Sequence, residues 1–189
     1  QLDEQAIADS EYLYIEGYLV TSPTGRAAAV RAREIAEAAG VKTSLSFSDP
    51  GMVEFFRDGI AEIIGDRLDL VFCNRDEALG WAGSDNMDDA IAALKAVANS
   101  FVITLGGDGA LTWDGAELAE IPPHRVEAVD TNGAGDMFAG AFLYAITRGE
   151  DFPTAGRFAS LAAGKIVANY GPRLPAADYP ALRDDFFRA

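Results

Sequence analysis

Read as a pattern of apolar and polar positions, the chain alternates short apolar runs with longer segments of alanines and charges. Tyr12 to Val20 is aromatic and β-branched enough for a strand. Thr21-Ser22-Pro23 then offers an N-cap followed by proline at the first helical position. A helix is expected from Thr24 to Ala39, closed by Gly40. Val41 to Phe47 reads as the next strand, and Ser48-Asp49-Pro50 repeats the cap-then-proline device before a helix from Met52 to Ile64. Leu68 to Cys73 is a short apolar strand, followed by helices over Arg75–Trp81 and Met87–Asn99 and a strand over Phe101–Leu105.

Strands alternating with helices of roughly 10 to 16 residues predict βαβ units and a parallel sheet. The rhythm then changes. Ala110–Trp113 and Glu117–Ile121 flank Asp114-Gly115, a hairpin signal, so an antiparallel ribbon is expected at one sheet edge. Helices over Gly135–Arg148 and Pro153–Asn169 complete the core, and the tail beyond Gly171 ends in a short helix. No repeat, low-complexity segment or linker interrupts the 189 residues, so a single α/β domain over 1–189 is expected.

Composition narrows the classes of function. A formal charge of −15 repels a nucleic-acid backbone and an anionic membrane, so neither is expected as a partner. One cysteine, Cys73, rules out an internal disulfide and fits a reducing compartment, and with one histidine, His124, there is no Cys/His zinc site. The N-terminal segment has acids where a signal peptide needs a basic start, and no segment approaches the roughly 18 to 20 apolar residues that span a bilayer. A cytoplasmic location is the expectation.

In a parallel sheet, ligands collect beyond the carboxyl ends of the strands. The polar groups there are Asp49, Asn74 with Glu77, Thr104 with Gly106, and the loop Asp130-Thr131-Asn132-Gly133-Ala134-Gly135-Asp136. That loop precedes a run from Met137 to Ile146 that is apolar on every side, which predicts a buried helix with a fixed N-terminus. Small residues, exposed amides and one carboxylate at a helix start suit an anion site with a base beside it. The plain alternative is a tight turn capped by Asp136. The order of glycines is neither a P-loop nor a G-x-G-x-x-G fingerprint. Asn74 with Glu77 is equally readable as a helix cap with a third-position acid, Thr104 to Gly109 as an ordinary strand turn, and Asp49 as a cap.

Asp130 to Asp136, followed by Gly140-Ala141-Phe142-Leu143, resembles the C-terminal signature of the ribokinase-like (PfkB) carbohydrate and nucleoside kinases. The resemblance implies a three-layer α/β/α fold with a mostly parallel sheet. It implies an ATP-dependent phosphotransferase acting on a primary hydroxyl of a sugar or nucleoside, closest in look to adenosine-kinase-like members. Asp136 would be the base, and the amides of Gly133, Ala134 and Gly135 the anion hole. Asn74-Arg75-Asp76-Glu77 resembles the family N-x-x-E motif, with Glu77 organising Mg2+ through water and Asn74 the phosphates. Thr104, Gly106, Gly107 and Gly109 resemble its nucleotide loop, with Asn132 also at the nucleotide. Asp130 and the Asn132 carbonyl, with backbone near Gly171, would hold a monovalent cation such as K+. A polar nucleotide contact falls on Ser160 or Asn169, and His124 is either a loop residue or a border of the nucleotide.

The resemblance covers the second part of the family fold. The glycine-containing sugar site and β lid that relatives carry upstream do not appear, so the chain is expected to be the nucleotide-binding C-terminal part of such a kinase, either as a fragment of a longer protein or as a truncated natural product. In the full-length parent a homodimer is conceivable. The alternative is a non-catalytic nucleotide-binding fragment or regulatory relative.

Overall fold

Parallel pairing organises the first part of the chain. The computed structural model describes residues 2–188. A short helix α1 (Glu4–Ala8), absent from the sequence expectations, is capped by Asp3, whose carboxylate accepts the Ala6 amide. Four strands follow: β1 (Tyr12–Glu16), β2 (Lys42–Ser46), β3 (Leu68–Asn74) and β4 (Ala98–Thr104). Each pairs in parallel with the next, and the registers align Glu16 with Ser46, Ser46 with Phe72, and Asn74 with Thr104. Leu45, Leu70, Val71, Phe101, Val102 and Ile103 are completely buried along these strands, as expected for a sheet covered on both faces.

The helices between the strands obey their caps. In α2 (Pro23–Ala39) the Ser22 hydroxyl accepts the Gly25 amide at 3.0 Å, and Gly40 closes the helix in the left-handed region, as the sequence predicts. Its buried stripe, Ala29, Ala32, Ile35 and Ala36, has helical spacing. The helix expected over Met52–Ile64 is two helices, α3 (Pro50–Phe55) and α4 (Arg57–Ile64), broken at Phe56, whose φ of −128° leaves the helical region. The strand expected to reach Val20 ends at Glu16, and Gly17–Thr21 forms a 3-10 turn. Gly17 is buried there, and a Cβ would lie 2.7 Å from the Ser46 and Phe47 carbonyls, so the backbones meet too closely for a longer strand. Helices α5 (Arg75–Ala82) and α6 (Met87–Val97) follow. β4 starts three residues earlier than predicted, because Ala98 is already extended.

The six strands follow one another in chain order. The last two, β5 (Ala110–Trp113) and β6 (Leu118–Ile121), form the hairpin that Asp114-Gly115 predicted, with the Asp114 carboxylate accepting the Ala116 and Glu117 amides at 2.8 Å. Three helices close the chain: α7 (Ala134–Ile146), α8 (Phe152–Val167) and α9 (Asp178–Phe187). By packing, the chain divides into two compact units, residues up to 104 with 113–117, and residues 105–112 with 118 onward. In the second, α7 packs mainly against α8, and α8 also packs against β6. Among the described residues no helix is long and apolar enough to cross a membrane.

The sequence reads α7 as buried on every side, and the structure corrects this. Phe138, Ala139, Ala141, Phe142 and Ala145 are buried, whereas Gly140 is exposed and Met137 and Tyr144 are half-buried. A helix with one principal neighbour covers one face, and Met137, Gly140 and Tyr144 border a cavity.

Candidate active site

In the first unit the candidate residues Asn74 and Glu77 lie where β3 passes directly into α5. Asn74 is extended, with φ −95° and ψ 177°, and serves as N-cap. Its side-chain oxygen accepts the Glu77 amide at 2.9 Å. In return the Glu77 carboxylate accepts the Asn74 backbone amide at 2.9 Å and its side-chain amide at 2.7 Å. This is a complete capping box. Glu77 is only 4% exposed. Burial pushes its carboxyl up to about 7, the Asn74 hydrogen bond opposes that rise, and the negative charges of Asp49 and Asp76 add to it. Thr104, the register partner of Asn74, donates its hydroxyl to the Cys73 carbonyl at 3.5 Å. Asp49 is a cap, accepting the Gly51 amide at 2.8 Å, and its charge reaches Glu77. Cys73 is buried strand filler, its thiol pushed up by burial and then by Glu77.

Ser48, next to the cap residue Asp49, has a φ of +70°, a left-handed conformation unusual for serine. Its hydroxyl accepts the Gly17 amide at 2.8 Å and donates to the Glu16 carboxylate at 3.0 Å. These bonds tie the carboxyl ends of β1 and β2 immediately before Asp49.

In the second unit the turn after β4 is a 3-10 segment, Gly106–Asp108, closed by the Leu105 amide on the Gly109 carbonyl at 2.8 Å. A Cβ at Gly106 or Gly107 would meet open space, which leaves these two free to approach a ligand. Gly109 differs, because its φ is +99° and a Cβ would collide with the Ile121 carbonyl. Its glycine is required by packing onto β6, a reason that the expectation of a nucleotide contact does not supply.

The Asp130–Asp136 loop is fastened at several points. The Val129 and Asp130 amides both donate to the Val167 carbonyl, at 2.8 and 3.2 Å. The Asp130 carboxylate accepts the Asn132 amide on one oxygen and the Gly171 amide on the other, each at 3.0 Å. Those bonds hold Asp130 below the usual carboxylate range. Gly133 has a φ of +75°, and a Cβ there would lie 2.6 Å from the Pro172 carbonyl, so only glycine fits. The Ala134 amide donates to the Thr131 carbonyl at 3.2 Å and Met137 to Gly133 at 2.9 Å. Of the three amides expected to form an anion hole, Ala134 is therefore already engaged, while those of Gly133 and Gly135 have no partner among the described residues. Asp136 is exposed, sits at the third helical position, and its carboxylate has no hydrogen-bond or ion-pair partner among the described residues. A base must be uncommitted before it accepts a proton, and Asp136 is.

Asp136 also borders a cavity of about 740 Å³ within the second unit, lined by Met137, Gly140 and Tyr144 of α7, Phe158 of α8, and Arg173 and Tyr179 among others. The sequence gives one sign of it: 137, 140, 141 and 144 share one helical face. The partners come from α8, α9 and the segment before α9, whose placement no local pattern predicts. Ser160 accepts the His124 amide at 2.9 Å and donates to the Pro122 carbonyl at 3.1 Å, fastening the connector that follows β6 to α8. Asn169 caps its own helix, donating to the Lys165 carbonyl at 2.8 Å. Both nucleotide-contact candidates thus have structural duties.

For a divalent cation the donor set is small. Among the described residues no cluster of three or more His, Cys, Asp or Glu side chains could enclose a metal. A single buried carboxylate with Asp49 and Asp76 in electrostatic range fits Mg2+, which keeps most of its waters and needs one or two acids.

The chain matches the pfkB family of carbohydrate kinases over residues 1–178. It is 30% identical to an adenosine kinase of Schizophyllum commune over 86% of this chain and 52% of that protein. It superimposes on the adenosine kinase of Sinorhizobium meliloti with a TM-score of 0.90 and 32% identity, covering 97% of this chain and 57% of that one. It also superimposes on an E. coli protein described as a Ribokinase II, solved with ATP and Mg2+, with a TM-score of 0.83 and 25% identity, covering 90% and 56%. The chain spans about half the length of the curated relatives it matches. Its mostly parallel strands with an antiparallel hairpin are those of the ribokinase-like fold, and the chain belongs to the pfkB family of carbohydrate kinases.

Proposed function

We propose that this chain carries the phosphoryl-transfer residues of an ATP- and Mg2+-dependent kinase that phosphorylates a primary hydroxyl of a nucleoside or sugar. The observation that carries the reading is Asp136. It is a free, exposed carboxylate at the start of a well-fastened helix, bordering a cavity, inside the stretch matched to the family. Asp136 takes the proton of the acceptor hydroxyl, which attacks the γ-phosphorus as ADP leaves. The amides of Gly133 and Gly135 meet the charge that gathers on the transferred group. Gly106 and Gly107 allow the nucleotide phosphates close to the backbone, and Thr104 stands at the start of that turn. Asn74 and Glu77 would hold Mg2+ through its waters, and bound Mg2+ would neutralise phosphate charge. Asp130 and the Asn132 carbonyl are the site of a monovalent cation such as K+.

Relatives named for adenosine, for cytidine and for ribose are all similar to this chain, so nucleoside and sugar both remain within the proposed substrate class. The test is Asp136→Asn in the complete protein, assayed for ATP consumption against adenosine, other nucleosides, ribose and fructose. Loss of turnover with retained ATP binding supports the assignment. Turnover close to that of the unaltered protein overturns it.

A further inference from the structure

The cavity beside Asp136 carries three charged side chains, Asp136, Arg173 and Arg183. Arg183 is committed, with its Nε donating to the Asp184 carboxylate at 2.9 Å. Arg173 is exposed and has no hydrogen-bond or ion-pair partner among the described residues. Arg173 therefore shares this cavity with the free carboxylate of Asp136, while the other arginine on the cavity, Arg183, is already paired.

Its position is built by its neighbours. The Gly171 amide is held by the Asp130 carboxylate at 3.0 Å. Pro172 lies against Gly133 so closely that a Cβ there would come within 2.6 Å of the Pro172 carbonyl. Residue 173 therefore follows directly on the contact with the residue that opens α7. Backbone and a proline ring make these fastenings, so the guanidinium is not needed to hold the loop. What remains for it is the cavity.

We propose that Arg173 is a catalytic residue whose guanidinium contacts the non-bridging oxygens of the γ-phosphoryl group during transfer. The proposal rests on the kinase reading above. In the step, the acceptor oxygen forms a bond to the γ-phosphorus and its proton passes to Asp136. The bond from that phosphorus to the β–γ bridging oxygen breaks, and ADP departs with the electron pair. Arg173 changes no covalent bond. Its planar fork of donors matches the paired oxygens of a phosphoryl group, and in a strongly acidic chain it offsets the charge that Asp136 and the phosphates bring together.

The test compares Arg173→Met, Arg173→Lys and Asp136→Asn in the complete protein by steady-state kinetics and thermal melting. Arg173→Met should lower kcat roughly 100-fold while the KM values for ATP and acceptor stay close to the original. Arg173→Lys should recover part of that loss, and added guanidinium ion should partly restore Arg173→Met. An unchanged kcat in Arg173→Met, beside an inactive Asp136→Asn, overturns the proposal and leaves the kinase reading intact. A raised acceptor KM at constant kcat assigns Arg173 to acceptor recognition and overturns it equally. A matching fall in melting temperature for Met and Lys, without guanidinium rescue, makes Arg173 a loop-holding residue and also overturns it. Normal turnover by Asp136→Asn removes the kinase reading, and this proposal with it.

Discussion

Two helices in this chain begin with the same device and put it to opposite uses. In α5 and in α7 an acid stands at the third helical position, Glu77 and Asp136, three residues after the N-cap. The N-cap of α5 is Asn74, whose side chain and backbone engage Glu77 at three points between 2.7 and 2.9 Å. The N-cap of α7 is Gly133, which has no side chain to offer and sits in a left-handed conformation against Pro172. Glu77 ends buried and bonded, and Asp136 ends exposed and uncommitted. The capping residue therefore sets whether an acid at this position is tied into the fold or left available for proton transfer.

The contrast makes predictions of decreasing size. Asp136→Asn should lower turnover roughly 1000-fold, about 4 kcal/mol in the barrier, and leave the melting temperature unchanged, because nothing in the fold depends on that carboxylate. A melting temperature that falls with activity would make Asp136 a cap like Asn74. Gly109→Ala should destabilise by about 3 kcal/mol in urea unfolding, from its left-handed φ and the Ile121 carbonyl. Gly107→Ala, facing open space, should stay within about 0.5 kcal/mol. Equal effects at the two glycines would show that the turn is looser than it looks.

Glu77 provides a pH test of the buried corner. Its folded pKa, about 7, is raised above the ordinary 4.5. A raised acid favours the folded state fully below 4.5, and that contribution is lost as pH rises through 7. The unaltered protein should therefore be less stable at pH 8 than at pH 5 by up to about 3 kcal/mol, and Glu77→Gln should flatten the slope. A slope that survives in Glu77→Gln would move its origin to the general negative charge. The smallest effect concerns Ser160→Ala, which should cost about 1 kcal/mol and speed hydrogen exchange at the His124 amide, as expected for a fastening of the connector to α8.

Much of this architecture is legible in one dimension because its causes are local. Ser22-Pro23 and Gly40 bound α2 through their own side-chain and backbone preferences, and Asp114-Gly115 turns the hairpin for the same reason. The early end of β1 escaped, since it depends on how neighbouring backbones meet, as Gly17 shows against the Ser46 and Phe47 carbonyls. The 3-10 turn that replaces the end of the predicted first strand has that origin as well.

The site divides along the same line. Sequence alone determined the acid at the start of α7, the glycines before it, and Asn74 three residues ahead of Glu77, because spacing along a helix is a property of the chain. Only the tertiary structure decided that Glu77 is buried with a raised pKa and that Gly109 is required by β6. It alone brought Arg173 and Asp136 to the lining of one cavity, with Gly171 held on Asp130 and Pro172 against Gly133. Burial, collision and approach are relations between residues distant in sequence, and they exist only once packing has brought those residues together.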